Sequence, residues 1–103
     1  MKIIKCTSWD SYIKEHPSFT GCLIDKDNDK SYYLNGQRHK IDGPAIEWIN
    51  GYKEYYINGQ KHRIDGPAVE DTNGYKVWYL NGKEYTKKEF NKRGKHTKQS
   101  MGK

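Results

Sequence analysis

Two histidine–aspartate pairs are the residues of this chain best suited by type to acid–base chemistry. His39 precedes Asp42 by three positions, and His62 stands in the same relation to Asp65. A carboxylate can orient and charge a neighbouring imidazole, as a general acid or base requires. A catalytic centre needs one assembled set, however, and a pair that recurs along the chain is better explained by turn formation. We therefore expect no catalytic residue and a non-enzymatic protein.

Metal ions and cofactors are not predicted either. His16, His39 and His62 are evenly spaced and could form a ladder of imidazoles, but no acidic or thiol ligand completes such a set. The two cysteines, Cys6 and Cys22, lack the Cys-x-x-Cys spacing of zinc sites, and we expect both to be reduced thiols.

A 23-residue period organises the chain and has to position any functional side chain. The Asn-Gly triplet at 34–36 recurs at 57–59 and at 80–82, Ile-Asp-Gly-Pro-Ala at 41–45 recurs at 64–68, and Asn-Gly-Tyr-Lys at 50–53 recurs at 73–76. An eroded first copy precedes them. Such a period is typical of repeat architectures.

Each unit is predicted to contain two short strands. Asn-Gly supplies the positive φ angles that a type I′ hairpin turn needs, so we expect Asn50-Gly51 and Asn73-Gly74 to close the hairpins. Alternation along the second strands separates two faces. The set predicted to face the core is Tyr32, Leu34, Tyr55, Ile57, Trp78 and Leu80. Asp-Gly-Pro should mark the bend between hairpins, because proline lacks the N–H of a ladder.

Both ends differ from the repeats. Lys2 to Cys6 is predicted to be a strand, and Ser8 to His16 a short helix that Pro17 stops. Thr86 and Glu89 have capping-box spacing for a second short helix, which Gly94 can end. We divide the chain into an N-terminal strand and helix cap (1–17), β-hairpin repeats with a degenerate first copy (18–85), and a short helix with a basic tail (86–103).

The strand at 55–57 with the Asn-Gly-Gln-Lys-His that follows, and its counterpart at 78–83, resemble the MORN repeat, a 23-residue unit with an aromatic strand and Asn-Gly. Asp-Gly-Pro-Ala replaces the usual Gly-x-Gly, a variant similar to small repeat proteins of bacteria and phages. The resemblance implies a mainly β fold, an antiparallel β-meander that serves as a scaffold for protein or lipid contacts. It also implies an antitoxin-like role, or a small phage protein that binds and inhibits a host defence or other host complex.

Charge is concentrated at one end. Residues 87–103 hold seven basic residues and one acid, which leaves twelve of each sign in residues 1–86. Any attraction to nucleic acid or anionic lipid therefore depends on the tail. The candidates are Lys87, Lys88, Lys92, Arg93, Lys95 and Lys98. No stretch approaches a membrane span or a signal peptide, so we expect a soluble, cytoplasmic protein, in the host cytoplasm if a phage encodes it.

Exposed aromatic side chains form the alternative candidate site. Trp48 stands where the equivalent positions hold Asp25 and Asp71, so core packing does not require it. Tyr33, Tyr56 and Tyr79 form a stripe on the second face of the sheet. Tyrosine and tryptophan on an open sheet favour protein interfaces, although such a stripe can also widen a thin core. We expect a protein partner held by these four residues, while the oligomeric state is left open.

Overall fold

The computed structural model describes residues 1–93 and is mainly β. One antiparallel sheet with a single parallel pair contains most of the strands, and β7 and β8 form a separate hairpin. The strands are β1 (Ile3–Lys5), β2 (Gly21–Ile24), β3 (Lys30–Leu34), β4 (Gln37–Arg38), β5 (Ile46–Glu47), β6 (Lys53–Glu54), β7 (Tyr56–Ile57), β8 (Gln60–Lys61), β9 (Val69–Glu70), β10 (Lys76–Leu80) and β11 (Lys83–Tyr85). The helices are α1 (Trp9–Glu15) and α2 (87–93).

Both predicted helices are confirmed, and side-chain caps explain where they begin. The Ser8 hydroxyl accepts a hydrogen bond from the backbone N–H of Ser11 at the start of α1. At α2 the capping box forms in both directions: the Glu89 N–H donates to the Thr86 hydroxyl at 3.1 Å, and the Thr86 N–H donates to the Glu89 carboxylate at 2.9 Å. The predicted stop at Gly94 lies outside the described residues. In the described part of the chain, neither helix has the length and apolar character needed to cross a membrane.

Two kinds of turn alternate along the sheet. Asn35-Gly36, Asn58-Gly59 and Asn81-Gly82 each have positive φ at both residues, near +50° and +82°, and are type I′ turns. At Asn50-Gly51, only the glycine has positive φ. There Gly51 N–H donates to Trp48 O and Trp48 N–H to Tyr52 O, which defines a three-residue loop.

The predicted hairpin positions at Asn50-Gly51 and Asn73-Gly74 are therefore confirmed, but their assignment to type I′ was wrong. The third loop of this kind has Asn28 in the left-handed position, with φ +65°. Asn28, Gly51 and Gly74 are spaced 23 residues apart. Asparagine is the side chain that tolerates this conformation best, which explains the substitution in the first unit.

The predicted core face was wrong in the first unit. Ser31 is fully buried and Tyr33 is 6% exposed, whereas Leu34, predicted to be inside, is 39% exposed. The reason lies in α1, which packs on the Tyr33 side of the sheet. Its residues Trp9, Tyr12 and Ile13 join Ile4 and Cys6 around the cluster of Phe19, Leu23 and Tyr33. In the other two units the side chains of both faces are half-buried.

The two helices lie on opposite faces of the sheet. The face that α1 covers can be followed by register through the cross-strand pairs Leu23–Ser31, Ser31–Ile46, Ile46–Glu54, Glu54–Val69 and Val69–Val77. Trp78 follows Val77 and so points the other way. Its ring lies 6.5 Å from that of Phe90 in α2, and Phe90 is buried. Consequently the α1 face is left open over β6, β9 and β10.

Candidate functional site

Aromatic side chains gather on the open part of the α1 face. Tyr52 and Tyr56 lie two residues on either side of Glu54, so alternation places all three on this face. Trp48 continues the β5–β6 ladder, and its ring lies 4.6 Å from that of Tyr52. Tyr79, two residues after Val77, shares the face. We name Trp48, Tyr52, Tyr56 and Tyr79 the aromatic stripe.

Glu54 is the hydrogen-bonding centre of the aromatic stripe. The Tyr56 hydroxyl donates to one of its carboxylate oxygens at 2.7 Å, and the Tyr52 hydroxyl donates to the other. Burial raises the pKa of both tyrosines well above the ordinary range, and the hydrogen bond to Glu54 and its negative charge raise it further. Both phenols are therefore neutral donors with fixed rings, and the surface is ordered before any partner arrives.

Arg38 occupies the end of the same face next to α1. Its guanidinium carbon lies 5.8 Å from the ring centres of Trp9 and Tyr33 and 5.9 Å from that of Tyr56. The Nε atom donates to the buried Ser31 hydroxyl at 3.3 Å. A cavity of about 310 Å³ opens beside Arg38, between α1 and the β3–β4 hairpin. This arrangement separates Tyr33 from the exposed stripe.

The four predicted contact residues thus divide into two groups. Trp48 is 43% exposed, and Tyr56 and Tyr79 are half-buried on the open face. Tyr33 lies on that face too, but α1 covers it, and its ring packs at 6.3 Å against Phe19. The sequence gave no measure of that cover, because helix docking joins residues far apart in the chain. Its exposure was therefore mispredicted.

Tyr52, Glu54 and Arg38 were missed by the sequence analysis. A signal for Glu54 was present, since the equivalent positions 23 residues away hold Ser31 and Val77. A carboxylate in a row of uncharged side chains breaks the repeat for no reason that folding supplies. Tyr52 has an equivalent in Tyr75, which is 61% exposed and was overlooked because it follows the turn glycine.

The opposite face carries cations that are stacked on its own rings. Lys40 Nζ lies 3.8 Å from the centre of the Tyr32 ring, and the Arg63 guanidinium lies 3.9 Å from that of Tyr55. Arg63 also pairs with Glu70 at 2.6 Å and with Asp65 at 3.1 Å. These basic groups are occupied within the fold, so this face is better explained by stability than by binding.

The histidines serve the turns. His39 Nδ1 accepts a hydrogen bond at 2.9 Å from the backbone N–H of Asn58, which opens the type I′ turn of the next unit. In the first unit the Asn35 N–H donates instead to the Thr20 hydroxyl at 2.9 Å, and His16 stacks on Tyr12. A contact that recurs from unit to unit in this way is structural, and no oriented nucleophile accompanies His39 within residues 1–93.

An acidic loop is one grouping in the described residues with the spacing of a metal site. Asp25, Asp27 and Asp29 have carboxylate oxygens within 4.8 Å of one another. Asp25 accepts from the N–H groups of Asp27 and Asp29, at 2.9 and 3.1 Å, and Asp29 accepts from Ile49 N–H at 2.9 Å. Backbone donors therefore account for two of the three carboxylates, and loop structure explains the cluster. Burial raises the pKa of the Cys6 and Cys22 thiols, and both cysteines are unpaired.

The basic C-terminal segment is described only in part. Lys87, Lys88, Lys92 and Arg93 are exposed on α2, and the Arg93 guanidinium lies 4.9 Å from the Tyr85 ring centre. Lys95 and Lys98 lie outside the described residues. No family model, curated protein or solved structure matches this chain. The resemblance to MORN repeats consequently depends on the residues of this sequence alone.

Proposed function

We propose that this chain is a non-enzymatic protein-binding module of the MORN-like type that works through the aromatic stripe. The observation that carries the proposal is the state of Trp48, a large apolar side chain that is 43% exposed and packed at 4.6 Å on Tyr52. Its repeat equivalents are aspartates, so folding does not call for an indole there. Tryptophan and tyrosine are the side chains most often dominant in protein interfaces.

Order within the stripe also supports a binding role. Tyr52 and Tyr56 are both held by Glu54, so little side-chain entropy is lost when a partner covers them. The stripe runs across neighbouring strands of an open sheet face rather than into an enclosed cavity. Such a surface suits a protein partner more than a small molecule.

The biological setting is proposed from the resemblance. Small proteins of this kind in bacteria and phages suggest a phage or prophage product that binds and inhibits a host defence or other host complex in the host cytoplasm. The recurrence of the type I′ turns and of the histidine contacts every 23 residues supports the MORN-like part of the proposal.

Photo-crosslinking tests the proposal. A benzoylphenylalanine at position 49, where Ile49 is 74% exposed next to Trp48, should crosslink one protein in an extract of the native host cell after nuclease treatment. The matched control carries the same group at Ile64, which is 52% exposed beside Leu80 and Arg93. Unlabelled protein should compete for the crosslink, and its Trp48→Ala variant should not. Equal crosslinking from both positions, or equal competition by both proteins, would overturn the proposal.

A second candidate function is binding of nucleic acid or anionic lipid by the basic end. The observation in its favour is that Lys87, Lys88, Lys92 and Arg93 are all exposed on α2, while Glu89, the acid of that segment, is engaged by the cap at Thr86. Loss of the captured partner after nuclease treatment or at raised salt would favour this function over the first.

A further inference from the structure

Glu54 is out of place in its row of the sheet. Its cross-strand neighbours on the open face are Ile46 and Val69, both buried and apolar. The equivalent residues in the other units are Ser31 and Val77, neither of which carries a charge. Either would be the simpler choice for a sheet, since a half-buried carboxylate costs desolvation energy.

No cation in the described residues compensates Glu54. The ion pairs of residues 1–93 join Arg38 to Asp10 and Arg63 to Asp65 and Glu70. Glu54 accepts from two tyrosine hydroxyls, which are neutral donors. Lys53, its neighbour in sequence, points to the opposite face by alternation. The carboxylate therefore presents a fixed negative charge to the open face.

The side chains around this charge are those that attract cations. Tyr52 and Tyr56 flank Glu54, and Trp48 stacks on Tyr52. The faces of such rings favour an ammonium or guanidinium group within about 6 Å. Arg38 shows the same preference at the other end of the face, because it sits among the rings of Trp9, Tyr33 and Tyr56 and leaves the Glu54 side free.

We infer that the Glu54 carboxylate and the rings of Tyr52, Tyr56 and Trp48 receive a lysine or arginine side chain of the protein partner. The inference rests on the proposed function and adds the chemistry of the partner. The cation meets a carboxylate that lacks an ion-pair partner in the described part of the fold, while the residues next to it in the partner lie along the stripe toward Tyr79. A partner side chain is favoured over a small cation because the face is open and the apolar contacts extend well beyond Glu54.

Peptide titration followed by amide NMR tests the inference on the full chain. The probes are four capped nonapeptides that differ only at the central residue, which is Lys, Arg, Gln or Glu, with methylammonium chloride as a small-cation probe. The Lys and Arg peptides should shift the amides of Glu54 and Tyr56 and the Trp48 indole, with the Gln and Glu peptides at least about tenfold weaker, as expected for a charge-assisted contact.

Two variants separate a local contact from overall charge. Glu54→Val, which copies the third unit, should weaken the Lys peptide about tenfold or more and keep a dispersed spectrum. Glu47→Gln removes the same charge from the opposite face and should change the affinity less than about twofold. Glu47 is half-buried in register with Lys53, so it is a matched control.

Three results would overturn the inference: equal binding of the Lys and Gln peptides, equal effects of Glu54→Val and Glu47→Gln, or binding of methylammonium as tight as that of the Lys peptide. The proposed function would survive each of them if the crosslink at position 49 still depends on Trp48. Its own failure is recognised separately, by crosslinking that does not depend on Trp48.

Discussion

His62 Nδ1 accepts a hydrogen bond at 2.9 Å from the backbone N–H of Asn81, nineteen residues further along the chain. His39 makes the same contact with Asn58. Each imidazole thus satisfies the first donor of the following type I′ turn and ties one hairpin to the next. The recurring histidines, which by type suggest acid–base chemistry, here do the work of a turn cap.

Replacing His62 should loosen one turn and leave the other intact. His62→Ala removes the acceptor of the Asn81 N–H, and we expect a loss of about 0.5–1.5 kcal/mol in the free energy of unfolding, measured with urea. Amide hydrogen exchange at Asn81 should become faster. Exchange at Asn58, which bonds to the unchanged His39, is the internal control, and unchanged exchange at both residues would contradict the assignment.

Glycine substitutions should separate backbone strain from steric contact. Gly51 and Gly74 have φ of +100° and +89°, but a Cβ at Gly51 would lie 2.6 Å from the Thr72 methyl group, whereas a Cβ at Gly74 meets nothing within 4 Å. Gly74→Ala should therefore cost about 1 kcal/mol of stability, and Gly51→Ala more.

Gly43→Ala provides the control for these two variants. Gly43 lies outside the left-handed region, and its nearest neighbour would be the flexible end of Lys40 at 3.8 Å. The change should be neutral or slightly stabilising in urea unfolding. Equal losses in all three variants would show that positive φ is not what these glycines provide.

Two tryptophans on opposite faces should respond differently to truncation. Trp48→Ala should cost about 2 kcal/mol or more of affinity for the crosslinked partner and little stability, because the indole is 43% exposed. Trp78→Ala should do the reverse, since its ring packs on the buried Phe90. Calorimetric binding and thermal unfolding measure the two effects. A Trp48→Ala protein that binds unchanged would exclude the stripe.

Alkaline pH should destabilise the protein through Tyr52 and Tyr56. Their pKa is raised by burial and by Glu54, so the folded state holds the phenolic protons more tightly than the unfolded chain. This contribution to stability is complete below the unfolded value of about 10 and is lost as the pH rises above it. Urea midpoints should fall less between about pH 9 and pH 11 in Glu54→Val, which lacks the acceptor. An equal fall in both proteins would contradict it.

Deletion of residues 91–103 should abolish any binding to nucleic acid, because the excess positive charge lies in residues 87–103. Replacing Lys92, Arg93, Lys95 and Lys98 by glutamine keeps the chain length and should have nearly the same effect. The measurement is the salt dependence of binding to an oligonucleotide. A truncated protein with an unchanged salt slope would show that the basic end is not responsible.

The parts of the fold that depend on neighbouring residues were predictable from sequence. Asn-Gly pairs restrict φ locally, so the hairpin positions at Gly51 and Gly74 were found, and the Thr86–Glu89 spacing located α2. The distinction between type I′ turns and three-residue loops was missed because strand register, set by the pairing of Glu47 with Lys53, decides the loop length.

The burial of the faces was not predictable in the same way. Alternation separates Tyr32 from Tyr33 but cannot tell which one a helix will cover, and α1 covers Tyr33 from a distant part of the sequence. Trp48, Tyr56 and Tyr79 were placed together on one face because their spacing obeys the period. Glu54 gained its meaning only when Tyr52 and Tyr56 were seen to converge on it.

The placement of α1 and α2 on opposite faces has a mechanical consequence. A single-layer sheet bends easily, and a partner pressing on Tyr79 would push β10 away from it. Phe90 of α2 rests on Trp78 of the same strand, on the side away from the partner. The C-terminal helix therefore acts as a brace behind the open face, and the stiffness of this surface depends on a residue that a partner never touches.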